Sequence, residues 1–142
     1  MKKYIKYLSY IIRHKCFVFV ECCKLGIPWR GLVHDMSKFL PREFFPYVDF
    51  FYGEKDQVAF DFAWHWHQKL NKHHWQWWIL KYDSGELIIF EMPMAYRKEM
   101  LADWRGASRA ITGKDNTVQW YSENKDKMQL ASETRKWIER NI

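Results

Sequence analysis

Proline placement constrains this chain more than any other feature. Three of its four prolines, Pro28, Pro41 and Pro93, stand where a helix can open. The ring sets φ near the helical value, and a first turn does not need the missing N–H. Gly26, Gly53 and Gly113 fall where the preceding apolar periods stop, as helix ends do. The chain is thus cut into helical lengths.

Residues 4 to 25 carry the first helical period. Pro28 to Val33 reads as a short helix or a turn. Pro41 opens PREFFPYVDFFYG, with Pro46 a candidate kink. Residues 55 to 78 read as one helix or two, with Asn71-Lys72 the weak point. Pro93 starts a helix to about Ala110, and two more are expected at Thr117 to Lys127 and Ser132 to Asn141. One segment differs. Asp83-Ser84-Gly85 sits between apolar, β-rich arms, the pattern of a tight hairpin, so a two-stranded insertion is expected near residues 79–92. The reading is an all-α, compact bundle of about six or seven helices. With 142 residues it fits one domain, residues 1–142, able to bury a core in which rings dominate, since 19% of the chain is aromatic.

A formal charge of +6 favours anionic partners. Its lysines and arginines are scattered, so a nucleotide or another phosphorylated small molecule is expected ahead of nucleic acid. The apolar run near the N-terminus is interrupted by Arg13, His14 and Lys15 before it reaches membrane-spanning length, and no small-residue cleavage site follows it. A cytoplasmic protein with no membrane partner is expected. Cys16, Cys22 and Cys23 crowd one helix without a second CxxC, and read as reduced thiols.

Residues three and four apart share a helical face, so each apolar stripe can be searched for intruders. Tyr7, Ile11, Val18 and Cys22 form a stripe with His14 in its middle. Tyr96, Met100, Ala107 and Ala110 form another with Asp103 in its middle, and Arg97 and Arg105 lie off that face. A buried carboxylate without a partner is costly, so Asp103 needs a cation, a metal or several donors. Trp64, His67, Asn71, His74 and Trp78 share a face if the helix continues through Asn71. His65 points away from His67, and His73 serves only through a local distortion. LVHDMSKF adds His34 and Asp35. Together His14, His34, Asp35, His67, His74 and Asp103 offer nitrogen and oxygen ligands without a thiolate, a set suited to Mn, Fe, Co, Ni or Zn, as one ion or two.

The order His, His-Asp, distant Asp on helices resembles the HD-domain phosphohydrolase superfamily, and HDMSK looks like the HDxGK form of its motif with Ser37 in place of glycine. More closely, YLxYxxRHKxFVF, GxxHDxSKFxPxEFxPY, FDxAWxxHQxxNxHHWQxW and EMPxxYxxEMxADWxGASRA are similar to a DUF5662-like family of small phage and bacterial proteins, which brings no activity with it. A phage origin would place the protein in the host cytoplasm. The HD resemblance implies an HD-like bundle and a first ion on His14, His34, Asp35 and Asp103, with His67 and His74, joined by His73 or not, holding a second ion or meeting the substrate. It also implies hydrolysis of a nucleoside monophosphate or a cyclic or signalling phosphodiester by a metal-activated water. Asp35 would orient that water or bridge ions. Lys38, aided by Arg13 or Lys15, would neutralise the phosphate, with His73 and Asn71 meeting the substrate. The competing expectation is a non-catalytic protein that sequesters a nucleotide or a partner, such as a phage anti-defence protein.

Overall fold

The computed structural model describes all 142 residues. Seven helices follow one another: α1 (Lys2–Lys24), α2 (Pro28–Val33), α3 (Pro41–Tyr52), α4 (Gln57–Leu70), α5 (Met94–Thr112), α6 (Thr117–Asn124) and α7 (Ser132–Asn141). The strands β1 (Ile79–Lys81) and β2 (Leu87–Ile89) pair antiparallel, Leu80 opposite Ile88, around a turn whose Gly85 takes φ +89. The fold is therefore all-α with a small hairpin inserted between α4 and α5. Each proline expected to open a helix does so: Pro28 and Pro41 are the first residues of α2 and α3, and Pro93 caps α5. Pro46 lies inside α3, which runs on to Tyr52. No helix is long and apolar enough to cross a membrane.

Helix α1 is the axis of the molecule, packing against α5, α2 and α3. Its buried face is Tyr7, Ile11, His14, Val18 and Cys22, as the periodicity required, with Glu21 added. Below His14, Tyr7 and Ile11 join Tyr47, Val48 and Ala63 in one apolar cluster; above it, Val18 and Cys22 join Ala102 in another. A third cluster gathers Met92, Met100, Leu101, Tyr121 and Ile138 around α5, α6 and α7. His14 is thus a polar residue between two apolar layers, which calls for partners rather than water.

Two glycines bring the helices close enough to supply them. A Cβ at Gly31 of α2 would stand 2.8 Å from Cys22 Cβ and from Phe19 Cα, and one at Gly106 of α5 would stand 2.9 Å from the Val18 backbone nitrogen. Gly31 precedes His34 by one turn and Gly106 follows Asp103 by one turn. Both backbones approach α1 in the turns that follow His14, Gly31 at Phe19 and Cys22 and Gly106 at Val18, and each helix carries a ligand-type side chain toward His14.

The middle segment departs from a continuous helix. Helix α4 ends at Leu70, Asn71 is extended (φ −115, ψ 103), and Trp75–Trp78 forms a separate 3-10 turn. The turn removes the phase that favoured His74 over His73. Cys22 is buried, and burial pushes its thiol up to about 12, so it is a neutral core group.

Candidate metal centre

Beyond α2 the chain must reverse, and it does so at His34-Asp35. His34 is the C-cap of α2 and Asp35 takes a left-handed conformation, φ 53 and ψ 28. A non-glycine residue there is strained, and Asp is among the residues that tolerate it. Lys15 Nζ donates to the carbonyls of His34 (2.6 Å) and Leu32 (3.1 Å), pinning the turn to α1. Adjacent side chains on the two sides of such a turn can both point inward, and both are buried.

His14 Nε2 lies 3.1 Å from Asp103 Oδ1 and 3.4 Å from Asp35 Oδ2; His34 Nε2 lies 3.3 Å from each of those oxygens and 3.3 Å from His14 Nε2. Four ligands held about 2.0–2.1 Å from one ion would sit about 3.3–3.4 Å apart at the corners of a tetrahedron. The spacing fits a cation in their midst.

A second set shares Asp35. Its other oxygen, Oδ1, is 3.3 Å from His67 Nε2 and 3.4 Å from His73 Nε2, and His74 completes a group whose ligand atoms all lie within 4.8 Å of one another. Asp35 Oδ1 and the Nε2 atoms of His67, His73 and His74 are buried without a hydrogen-bond partner. Buried polar atoms are rarely left so, and four converging at one point are the pattern a bound ion resolves. Asp35 thus presents one oxygen to each set.

Outer carboxylates hold the imidazoles. His67 Nδ1 donates to Glu43 Oε2 at 2.8 Å, and His34 Nδ1 donates to Glu99 Oε1 at 3.1 Å. His73 Nδ1 lies 3.3 Å from the same Glu99 oxygen, and Arg30 Nη1 donates to Glu99 Oε2 at 3.0 Å. This is the histidine–carboxylate pairing that fixes a ring's tautomer and aims its other nitrogen at a metal.

The electrostatics differ from one imidazole to the next. Burial opposes charge on His67, but Asp35 and Glu43 outweigh it and raise its pKa. Burial works against charge on His34, but Asp35, Asp103 and Glu99 outweigh it and raise the imidazole pKa well above its ordinary value. Burial opposes charge on Asp35 too, yet His34, Lys38 and His67 hold its carboxyl well below the usual range. Burial, and then His34, lower His73; burial, and then His73 and His67, lower His74 far more. The second set therefore offers at least two neutral imidazoles, the form that binds metal.

Both sets open on one cavity of about 360 Å³, whose walls include Tyr10, Trp64, Trp75, Trp104 and Trp120 beside Lys38 and Lys127. Lys38 Nζ reaches Asp35 Oδ2 at 2.6 Å.

All six residues expected as ligands meet here, with His73 promoted from an accessory to a full member. Other expectations fail. Arg13 is exposed and borders a separate pocket with Tyr7, Phe51 and Tyr52, so it does not face the ligands. Asn71 Nδ2 donates to Ser37 Oγ and to the His67 carbonyl, both at 2.9 Å, and so braces the end of α4 instead of lining the cavity. Lys15 donates to the carbonyls of the turn at Leu32 and His34. Glu99 and Glu43 went unrecognised. Glu99 lies four residues before Asp103 on one face of α5, a spacing that could have revealed it. Glu43 sits in the first turn of α3, where an acidic residue reads as an ordinary helix-end charge.

A family model described as a family of unknown function, DUF5662, matches residues 3–142. No curated protein and no solved structure matches the chain.

Proposed function

The chain belongs to the DUF5662 family, whose description assigns no activity, and we propose from the site that it is a metal-dependent phosphohydrolase acting on a nucleotide. The observation that carries this reading is the pair of ligand sets joined by Asp35 at the base of a basic, aromatic-walled cavity. Donors of only nitrogen and oxygen suit Mn, Fe, Co, Ni or Zn, and a two-ion centre clamps a phosphoryl group while lowering the pKa of water.

The chain's own groups supply the rest. Lys38 carries a firmly held positive charge at the cavity floor, since Asp35 and Asp103 raise its pKa despite burial. A fixed cation there neutralises charge that grows on phosphate oxygens during attack. Lys127 adds a second cation at the rim, and the tryptophan walls offer faces on which a base stacks. Asp103 and Asp35, held as anions by the imidazoles beside them and, for Asp35, by Lys38, would hold the ions, with Asp35 bridging them or orienting the attacking water. The reading also draws on the resemblance in chain order of His14, His34-Asp35 and Asp103 to the motif of HD phosphohydrolases, a resemblance of sequence alone.

A second reading, a nucleotide-binding protein without turnover, draws on the 2.6 Å ion pair between Lys38 and Asp35. It supplies a cation to Asp35 without any metal.

The test is elemental analysis of untagged protein followed by a screen of nucleoside monophosphates and cyclic phosphodiesters. The hydrolase reading expects one or two transition ions per chain and phosphate release. Lys38→Met should keep the ions and lose on the order of a hundredfold in kcat/KM. Protein that takes up no Mn, Co or Zn yet binds nucleotide establishes the second reading instead.

A further inference from the structure

Glu99 differs from the other carboxylates in the centre because one of its oxygens faces the Nδ1 atoms of two imidazoles, whereas Asp35 and Asp103 face Nε2 atoms and Glu43 faces a single Nδ1. Oε1 is 3.1 Å from His34 Nδ1 and 3.3 Å from His73 Nδ1, while Oε2 takes a hydrogen bond from Arg30. His34 turns its Nε2 to the first ligand set, and His73 turns its Nε2 to the second. The rings lie 4.4 Å apart between centroids, in contact with each other. Glu43, by contrast, holds only His67, a ligand of the second set.

His34, His73 and Glu99 could also be taken as a third ion site, since their atoms come within 4.8 Å of one another. The hydrogen-bond accounting argues against it. Using the Nδ1 atoms for a third ion would strip both imidazoles of the acceptor that sets their tautomer, and Arg30 already occupies the remaining carboxylate oxygen.

We infer that Glu99 is a positioning residue that couples the two ion sites: it orients one histidine of each, so that both sites are built or lost together. This rests on the metal-centre reading of the preceding section. Arg30 anchors the arrangement, reaching Glu99 while its guanidinium lies 3.9 Å from the centre of the Tyr96 ring. Glutamine at position 99 would retain one acceptor oxygen. It could serve Arg30 or the imidazoles, but not both, and its amide would turn donors toward whichever side it abandoned.

The experiment titrates metal-stripped wild type, Glu99→Gln and Glu43→Gln with Co(II), following heat and visible absorption, with circular dichroism and thermal melts of each stripped protein as folding controls. Wild type should bind two ions. Glu99→Gln should weaken both by about 10–100-fold and shift the absorption of both. Glu43→Gln should weaken one only. A purely structural role for Glu99 would lower the melt without moving the absorption band of either ion, and would overturn the inference, as would one site keeping its wild-type constant. If stripped Glu99→Gln does not fold, Arg30→Gln replaces it. That change must move both constants in the same sense, and movement of one alone overturns the coupling. Wild type that binds no ion overturns the metal centre itself, and this inference with it. That outcome differs from two ions bound independently.

Discussion

Gly106 meets Val18 so closely that a Cβ on Gly106 would stand 2.9 Å from the Val18 nitrogen. His14 and Asp103 lie one turn away from this contact on the same two helices, with Nε2 and Oδ1 3.1 Å apart. The absence of a side chain at one position therefore sets the spacing of two candidate ligands at another.

Gly106→Ala tests that spacing. The added methyl must push α5 from α1, with a loss of about 1–3 kcal/mol from overpacking. It should also weaken the ion held by His14 and Asp103. Denaturant midpoints of stripped protein read the first effect, and metal titration the second. Wild-type values of both would mean that the helices part freely.

Asp35→Asn should empty both ion sites at once, because each set uses a different oxygen of this carboxylate. Asparagine tolerates the left-handed backbone at this position, so helical circular dichroism should persist. His67→Ala should cost one ion only. Elemental analysis of the two variants separates shared from separate ligation.

His65→Ala should change stability by no more than about 0.5 kcal/mol and leave metal content intact, since its side chain is exposed on the outer face of α4. His67 is buried on the opposite face. Comparable losses from both substitutions would show that the phase of α4 is wrong.

Glu21 predicts the acid limb of stability. It is buried where α1 meets α5 and pairs with Arg109, with Lys24 at 2.7 Å and with Arg105 at 3.5 Å. Burial opposes its charge, but hydrogen bonds from Lys24 and Arg109 outweigh burial and lower its pKa from the ordinary 4.5. A carboxyl lowered by folding stabilises the native state above its unfolded pKa, and that contribution fades as pH falls through the folded value. Glu21→Gln should flatten the loss of stability below about pH 4.5, as read by denaturant unfolding of stripped protein.

His14 and Asp103 were legible in the sequence because each interrupts an apolar stripe, and a helix fixes which residues share a face. By the same periodicity His67 could be chosen over His65, and the prolines marked where helices open because their fixed φ suits a first turn. Periodicity ends where the helix ends. Between Asn71 and Trp75 the chain leaves the helical path, so only the folded structure decides that His73 enters the centre beside His74. The double hydrogen bonding of Glu99, the pairing of Glu43 with His67 and the two-sided use of Asp35 were likewise tertiary decisions. Each depends on how close separate helices come, which the sequence carries only through the glycines at positions 31 and 106 and the side chains packed against them.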